Sequence, residues 1–500
     1  MGREVYDERS IAESSYTSER SMKGKRDLLI CPNWSTHTYK SYHPNSSVPT
    51  WRSQTMRTYT CKYIDYYYYF SLMLVYILRA ALGIAILIGF CVLISNNRKA
   101  INWKLVGSGL LIQVVLAFLV IKIPFMTGFF KGIVDFFLVI IAAAQESAGF
   151  LFGDLATNPA FGFAFSVLPI IIFFSALTSL FYYYGILQKI VYGFAWAMNK
   201  TMKLTGAESL SAAANIFIGQ TEAPLVIKPY LDKMSRSELM SIMTGGMATI
   251  AGSVFGAYIS ILGGDSPAAQ QEFGMHLLVA SLISAPAALL VAKILVPEDP
   301  DRLINNDLNI PKSAAGSNML DALAKGTTDG VRLAVNVGAM LFAFMAFIYL
   351  GNNVLELIGS SLNINDNIAD MTGGKYDKLS LQLFMGYLFA PLAWIIGING
   401  GEILYVGQLL GEKTILNEFV AYASLGDMQS AGTISKRSTI IAAYALCGFA
   451  NFASIGIQIG GISSLAPGRR QDLTELGFKA LIGGTIATML TGCLAGAFIA

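Results

Sequence analysis

Long apolar runs dominate the chain from about Leu72 onward. They cover 72–95, 105–124, 161–183, 236–262, 273–296, 328–358, 436–462 and 476–499. Each holds about 20 residues or more, and a helix of that length crosses roughly 30 Å of hydrocarbon at 1.5 Å per residue. The pattern predicts an all-α polytopic membrane protein with about eight transmembrane helices. Three other stretches, near 128–152, 186–204 and 380–400, are apolar but interrupted. They read as amphipathic or interfacial helices.

Two short segments break the rule of simple spans. One is Asn215-Ile-Phe-Ile-Gly-Gln-Thr-Glu-Ala-Pro-Leu-Val-Ile, and the other is Thr414-Ile-Leu-Asn-Glu-Phe-Val-Ala-Tyr. Each carries a carboxylate and an amide at the centre of an apolar segment. Each is followed by a run with Gly and Ser, and Thr or Asn, at mid-depth, Ala248–Gly256 and Gly448–Gly456. The order, hairpin and then broken helix, occurs once in each half of the chain. Irregular backbone survives in hydrocarbon only where protein buries it or a wet cavity borders it. Secondary transporters use this arrangement, pairing discontinuous segments from inverted repeats around a site at the bilayer midplane. Gly219, Pro224, Gly252 and Gly456 are the positions where the helices can open.

The pattern then divides the chain. A polar extension occupies 1–70, scaffold helices 71–185, and a first repeat with hairpin and broken helix 186–296. A polar connector follows at 297–327, then scaffold and interfacial helices at 328–400 and a second repeat at 401–500. The extension has no apolar core of a secretory signal. It is expected to be either disordered or upstream sequence from a misassigned start, since Met73 opens the first span. The short loop Asn96-Asn97-Arg98-Lys99, with Lys104 behind it, is cytoplasmic by the positive-inside rule.

Composition sharpens this. Hydrophobic residues make up 54% of the 500 residues and charged ones 13%, about half the share of a soluble chain. The net charge of +3 belongs to the first 70 residues, and the rest is balanced at 25 against 25. No basic patch that would hold nucleic acid lies outside the extension. The cysteines Cys31, Cys61, Cys91, Cys447 and Cys493 show neither zinc spacing nor an obvious pairing. Only His276 lies outside the extension, and no nucleophile–base motif or P-loop is present. The chain therefore reads as no enzyme.

Glu222 and Glu418 are the sharpest candidates. A carboxylate at the membrane centre costs at least about 2.5–3.5 kcal/mol, so it pairs, sits in a wet cavity, or works. The blander role is to accept helix N-terminal N–H groups and hold a hairpin. Amides beside both acids, in Gln220-Thr221-Glu222 and Asn417-Glu418, favour ligand work. Asn451 and Ser454, three apart, share one helix face. They, Asn215 and Thr249 could equally form polar seams between helices. Ser253 and the pairs Gly252/Gly256, Gly456/Gly460 and Gly492/Gly496 read as close-packing positions. Lys228, Arg469 and Arg470 read as interfacial anchors.

At these residues the chain resembles the concentrative nucleoside transporters. Gly219-Gln-Thr-Glu-Ala-Pro-Leu is similar to the first-hairpin motif of the sodium-coupled members. Gly411-Glu-Lys-Thr-Ile-Leu-Asn-Glu-Phe-Val-Ala-Tyr matches the family pattern G-x-K-x-x-x-N-E-F-V-A-Y in full. Gly448-Phe-Ala-Asn-Phe-Ala-Ser-Ile and Ser464-Leu-Ala-Pro-Gly-Arg-Arg complete the set, and the similarity runs from about Met73 to the C-terminus. One departure stands before the second hairpin, where Gly397-Ile-Asn-Gly-Gly-Glu402 lacks the family's usual Trp.

The resemblance implies sodium-coupled import of nucleosides by alternating access, with two re-entrant hairpins per protomer of a homotrimer. Proton coupling is the nearest alternative, and a passive channel the remote one. It implies that Gln220, Thr221, Glu222 and Val254 hold the base, with Phe449 against it. Glu418, Asn451 and Ser454 would hold the ribose hydroxyls. Sodium would lie between the side chains of Asn215 and Thr249 and the carbonyls of Ile218 and Ile250. No cofactor beyond that coupling ion is implied. The expected setting is the plasma membrane, an inner membrane if the source is bacterial, with lipid as neighbour.

Overall fold

The computed structural model describes residues 52–157, 163–264, 266–299 and 317–499, with side chains from Met73 onward, Thr157, Phe163 and Asp366 excepted. The chain divides into two units, residues 1–72 and 73–500, and the second carries everything below. Every regular element among the described residues is helical. The expected extension lies mostly outside the described residues, as does most of the polar connector.

The first helices are α1 (Arg52–Leu93), α2 (Trp103–Lys122), α3 (Pro124–Phe152), the single turn α4 (Asp154–Thr157), α5 (Leu168–Tyr183) and α6 (Ile186–Met202). The short α7 (Gly206–Asn215) and α8 (Ala223–Val226) flank a tight turn. Then come α9 (Arg236–Ala248), α10 (Gly252–Gly263) and α11 (Pro267–Leu295). The second half has α12 (Met319–Ser361), α13 (Asn365–Thr372), α14 (Leu381–Ile395), α15 (Ile403–Ile415) and α16 (Glu418–Ser430). It closes with α17 (Lys436–Leu446), α18 (Phe452–Leu465) and α19 (Arg470–Phe498).

Among the described residues, eight helical stretches are long and apolar enough to cross a membrane. They differ from the sequence expectation in two places. Residues 128–152 belong to the continuous α3, which qualifies as a span rather than an interfacial helix. Its interruptions, Lys131, Asp135 and Glu146, are too sparse to break 29 residues of helix. Conversely, 436–462 is not among the eight: it divides into α17, which ends at Leu446, and the 14-residue α18, which starts at Phe452.

Local chemistry explains where the central helices begin. Thr205 and Glu208 form a capping box on α7, and Ser235 and Glu238 form another on α9. Asn417 caps α16, Ser435 caps α17 and Asn451 caps α18, each accepting a backbone N–H with its side-chain oxygen.

The core gathers around α11, buried over 94% of its apolar window. It packs against α2, α9, α10 and α19. A helix apolar all round must be enclosed by others. By contrast, α12 buries only 11% of its window and lies chiefly along α5. Gly326 and Gly330 permit that contact, since a Cβ at either would come within 3.0 Å of Ser175, Ala176, Ile172 or Ser179. Lys293 near the end of α11 pairs with Glu208 at 2.5 Å and Glu298 at 3.1 Å, tying it to α7.

Candidate functional site

Two helix breaks meet at the centre of the core. The first separates α9 from α10 at residues 249–251, the second α17 from α18 at 447–451. Gly448 supplies the second break with a φ of +102°, a backbone conformation that L side chains rarely adopt. Gly456, the position expected to open, lies inside α18 with open space around it. The physical reason is backbone geometry: a positive φ at Gly448 ends the α17 ladder, while Gly456 has ordinary helical neighbours on both sides. Gly219 does mark a turn, with φ +76°, between α7 and α8. Gly252 donates its N–H to Phe217 O at 3.1 Å, joining that turn to the first break.

Glu418 stands at the start of α16, buried. Tyr258 on α10 donates to its Oε1 at 3.0 Å, and Asn451 Nδ2 donates to its Oε2 at 3.0 Å. Asn451 accepts the N–H of Ser454 at 2.9 Å, so it caps α18 instead of sharing a helical face with Ser454. Ser454 Oγ in turn accepts from Gln220 Nε2 at 3.2 Å. Gln220 Oε1 accepts from Gln458 Nε2 at 2.9 Å, which also donates to Met243 O at 3.1 Å.

These bonds run between the two halves of the chain. The turn between α7 and α8 meets α18, and α16 meets α10. The continuous chain of contacts is Tyr258–Glu418–Asn451–Ser454–Gln220–Gln458. A buried carboxylate with two neutral donors still has lone pairs to offer, about four sites against two used. Hydrogen bonds to an ionised acceptor are the strong ones, so vicinal hydroxyls suit this group.

Of the other expected residues, Val254 is buried on α10 one turn before Tyr258, and Phe449 is half-buried in the second break. Thr221 and Glu222 are exposed and stand outside the bonded chain. Thr221 has its methyl 3.7 Å from where a Cβ on Gly461 would be. Glu222 folds back over Gly219, where a Cβ would come within 2.6 Å of its Oε2. Arg469, read as an interfacial anchor, instead donates to the carbonyls of Leu231, Asp232 and Met234 and pairs with Asp472 at 2.9 Å. The packing role of the glycine pairs holds at Gly256, hard against Phe174, whereas Gly456 and Gly460 face open space.

Asn215 ends α7, buried, and neither its oxygen nor its nitrogen has a hydrogen-bond partner among the described residues. Its Nδ2 lies 3.5 Å from where a Cβ on Gly245 would be, and Gly245 O accepts from Thr249 Oγ1 at 3.0 Å. Asn215 and Thr249 thus face the same turn of α9, and Ile218 and Ile250 lie buried beside them in sequence. An orphaned buried amide oxygen beside unwound carbonyls is a donor set of the hard-oxygen kind that sodium takes. No cluster of three or more His, Cys, Asp or Glu that would suit a transition metal occurs among the described residues.

Tyr258 and Gln458 went unnoticed in the sequence. Both had a signal. Gln458 lies one turn after Ser454 in an otherwise apolar helix, where an amide carries the same desolvation cost that singled out the acids. Tyr258 follows Val254 by one turn and is a hydroxyl in an apolar run.

Three family profiles match this chain. "Na+ dependent nucleoside transporter C-terminus" covers residues 276–496, "Nucleoside recognition" 164–265, and "Na+ dependent nucleoside transporter N-terminus" 82–155. An uncharacterized transporter from Haemophilus influenzae is 41% identical, with 85% of this chain and 98% of that protein aligned. Sodium/nucleoside cotransporter 1 from Rattus norvegicus is 38% identical over 82% of this chain, which spans 62% of that longer protein. The solved structure of CNTnw in an inward-facing substrate-bound state is 38% identical, with a TM-score of 0.76 over 85% of this chain and 98% of that one. Substituted forms of the same protein have been solved in outward-facing and intermediate states with similar scores, 0.75 and 0.76.

Proposed function

The chain belongs to the concentrative nucleoside transporter family, and from that premise we propose that it imports nucleosides by sodium-coupled symport. It is a transporter and no enzyme, and with eight apolar spans among its described residues it is a multi-pass plasma membrane protein. Relatives solved in inward-facing, intermediate and outward-facing states support alternating access as the means.

The bonded chain through Glu418 is the observation that carries the reading. One edge of the substrate, the ribose with its vicinal hydroxyls, meets Glu418, Asn451 and Ser454. The base meets Gln220 and Thr221, with Val254 and Phe449 as its apolar walls and Glu222 at the hairpin tip. Gln220 keeps one N–H and one lone pair after its protein bonds, enough to answer an amide-like edge. Both hairpins are re-entrant in this reading, because their short helices could not span hydrocarbon.

Sodium enters at Asn215 and Thr249, with carbonyls of Ile218 and Ile250. The orphaned Asn215 amide supports sodium, which takes neutral oxygen ligands, whereas a proton would be carried by Glu222 or Glu418. A membrane potential of about 100 mV supplies ~2.3 kcal/mol per charge. A tenfold gradient adds about 1.4 kcal/mol. One ion per nucleoside therefore sustains an accumulation of a few hundredfold. The long apolar α12, little buried by its own chain, supports a homotrimer in which such faces meet other copies or lipid.

The test is uptake of radiolabelled uridine and adenosine into proteoliposomes under inward sodium, choline or pH gradients. Accumulation only with sodium is expected. Uptake that follows the pH gradient and ignores sodium refutes the coupling. Equilibration at channel rates, with no accumulation under any gradient, refutes the carrier.

A further inference from the structure

The second helix break contains a charge that the transport reading leaves unused. Lys413, in the last turn of α15, is a fully buried lysine. Its Nζ donates to Ala445 O at 3.0 Å, Cys447 O at 3.4 Å and Thr488 Oγ1 at 3.0 Å. Those bonds use its three protons, and it forms no ion pair with any described residue. An ammonium so far from water is costly unless the groups around it answer the charge. Here they are the last carbonyls of α17, the negative end of that helix.

Neighbouring side chains complete the same end. Tyr422 donates to Ala443 O at 2.9 Å, and Thr491 donates to Tyr444 O at 3.4 Å. Every carbonyl named is therefore held from outside the helix, just where the ladder stops before Gly448. At the first break the arrangement is opposite. The residue that the first hairpin aims at α9 is Asn215, whose amide has no partner among the described residues. So the first hairpin offers its broken helix an unanswered oxygen, and the second offers its broken helix a covalently attached cation.

We propose that the Lys413 ammonium is the resident cation of the second break, the tethered counterpart of the ion that the first break takes from solution. It is a positioning residue. By holding Ala445 and Cys447 it sets the path of residues 447–451, and so the placing of Phe449 and of Asn451 against Glu418. A tethered cation is also never exchanged, so this break adds no ion to the transport stoichiometry. The inference rests on reading the first break as the sodium site and the second as the ribose site.

The experiment measures equilibrium binding of radiolabelled uridine, adenosine and sodium to the purified full chain in detergent. Wild-type protein that binds neither sodium nor nucleoside fails the underlying reading before any variant is made. Lys413→Met removes the charge at similar volume. It should bind the nucleosides at least about tenfold more weakly, as for loss of charge-assisted bonds. Its sodium isotherm without nucleoside should stay within about twofold of wild type, about 0.4 kcal/mol. Lys413→Ala leaves room for propylammonium, which reproduces the missing stem and charge. Added propylammonium should restore nucleoside binding several-fold, and propanol should not. A Met variant with wild-type nucleoside affinity overturns the proposal, as does one that loses sodium and nucleoside binding in parallel. Rescue of the Ala variant by propanol as well as by propylammonium overturns it too. If the variants are unfolded, recovery of folded protein with propylammonium alone supports the assignment, and recovery with neither additive counts against it.

Discussion

Gly448 lies against Ala248 so closely that a Cβ on it would come within 2.6 Å of the Ala248 carbonyl oxygen. The two helix breaks therefore touch backbone to backbone, one from each half of the chain. Gly448→Ala adds both a steric clash and a strained φ, a cost of about 1–3 kcal/mol from the backbone alone. The expected result is a clear fall in thermal stability in detergent and loss of nucleoside uptake. Gly456→Ala is the control. With open space around it and a helical backbone, it should stabilise by up to about 1 kcal/mol and leave uptake intact. Equal stability of the two variants contradicts the contact between the breaks.

Glu418 receives two donors, and they differ in what they hold. Tyr258→Phe deletes one charge-assisted hydrogen bond, a loss of about 1.5–3 kcal/mol. The nucleoside KM should rise roughly tenfold to a hundredfold, with the sodium half-saturation little changed. Glu418→Gln should abolish uptake while the protein still elutes as the wild-type assembly. Near-normal transport by Glu418→Gln removes the carboxylate from the ribose site.

Much of this was readable from residue order, for a physical reason. Burying charge in hydrocarbon is so costly that Glu222, Glu418 and the amides beside them stand out without any structure. The breaks were readable too, because glycines and polar residues interrupt apolar runs only where backbone is sheltered. The limits were equally physical. Glu222 and Glu418 look like a matched pair in sequence, yet only Glu418 joins the bonded chain, since hydropathy says nothing about which way a hairpin tip faces. The sequence points to Gly456 where the structure opens at Gly448, because glycine content does not reveal which glycine takes a positive φ. Tyr258 and Lys413 reach their partners across long sequence separations, and no local pattern encodes such pairings.

Lys293 offers a test of the scaffold rather than the site. It is buried between Glu208 and Glu298, and Ser237 Oγ accepts from it at 3.1 Å. Removing one partner of a buried ion pair costs about 3–5 kcal/mol, because the remaining charges are left unanswered. Lys293→Met should therefore cut the yield of folded protein and lower its thermal midpoint. Adding Glu208→Gln should recover part of the loss by removing one stranded charge. If the double variant is worse than the single by the full cost of Glu208→Gln alone, the two residues are not coupled.

The first break gives the most discriminating prediction about coupling. Asn215 is buried with its amide oxygen free of any donor among the described residues, and the same turn of α9 is held by Thr249. If sodium answers that oxygen, Asn215→Ala removes a ligand and leaves the nucleoside contacts untouched. The sodium half-saturation for uridine uptake should then rise at least about tenfold, the worth of one good ligand at about 1.4 kcal/mol. At saturating sodium the nucleoside KM should return close to the wild-type value. Binding linkage requires the reciprocal effect as well: wild-type nucleoside affinity falls as sodium is withdrawn, and it should fall at higher sodium in the variant. A variant whose sodium dependence is unchanged, but whose nucleoside KM rises at every sodium concentration, would place Asn215 in the polar seam between α7 and α9 and not at the ion.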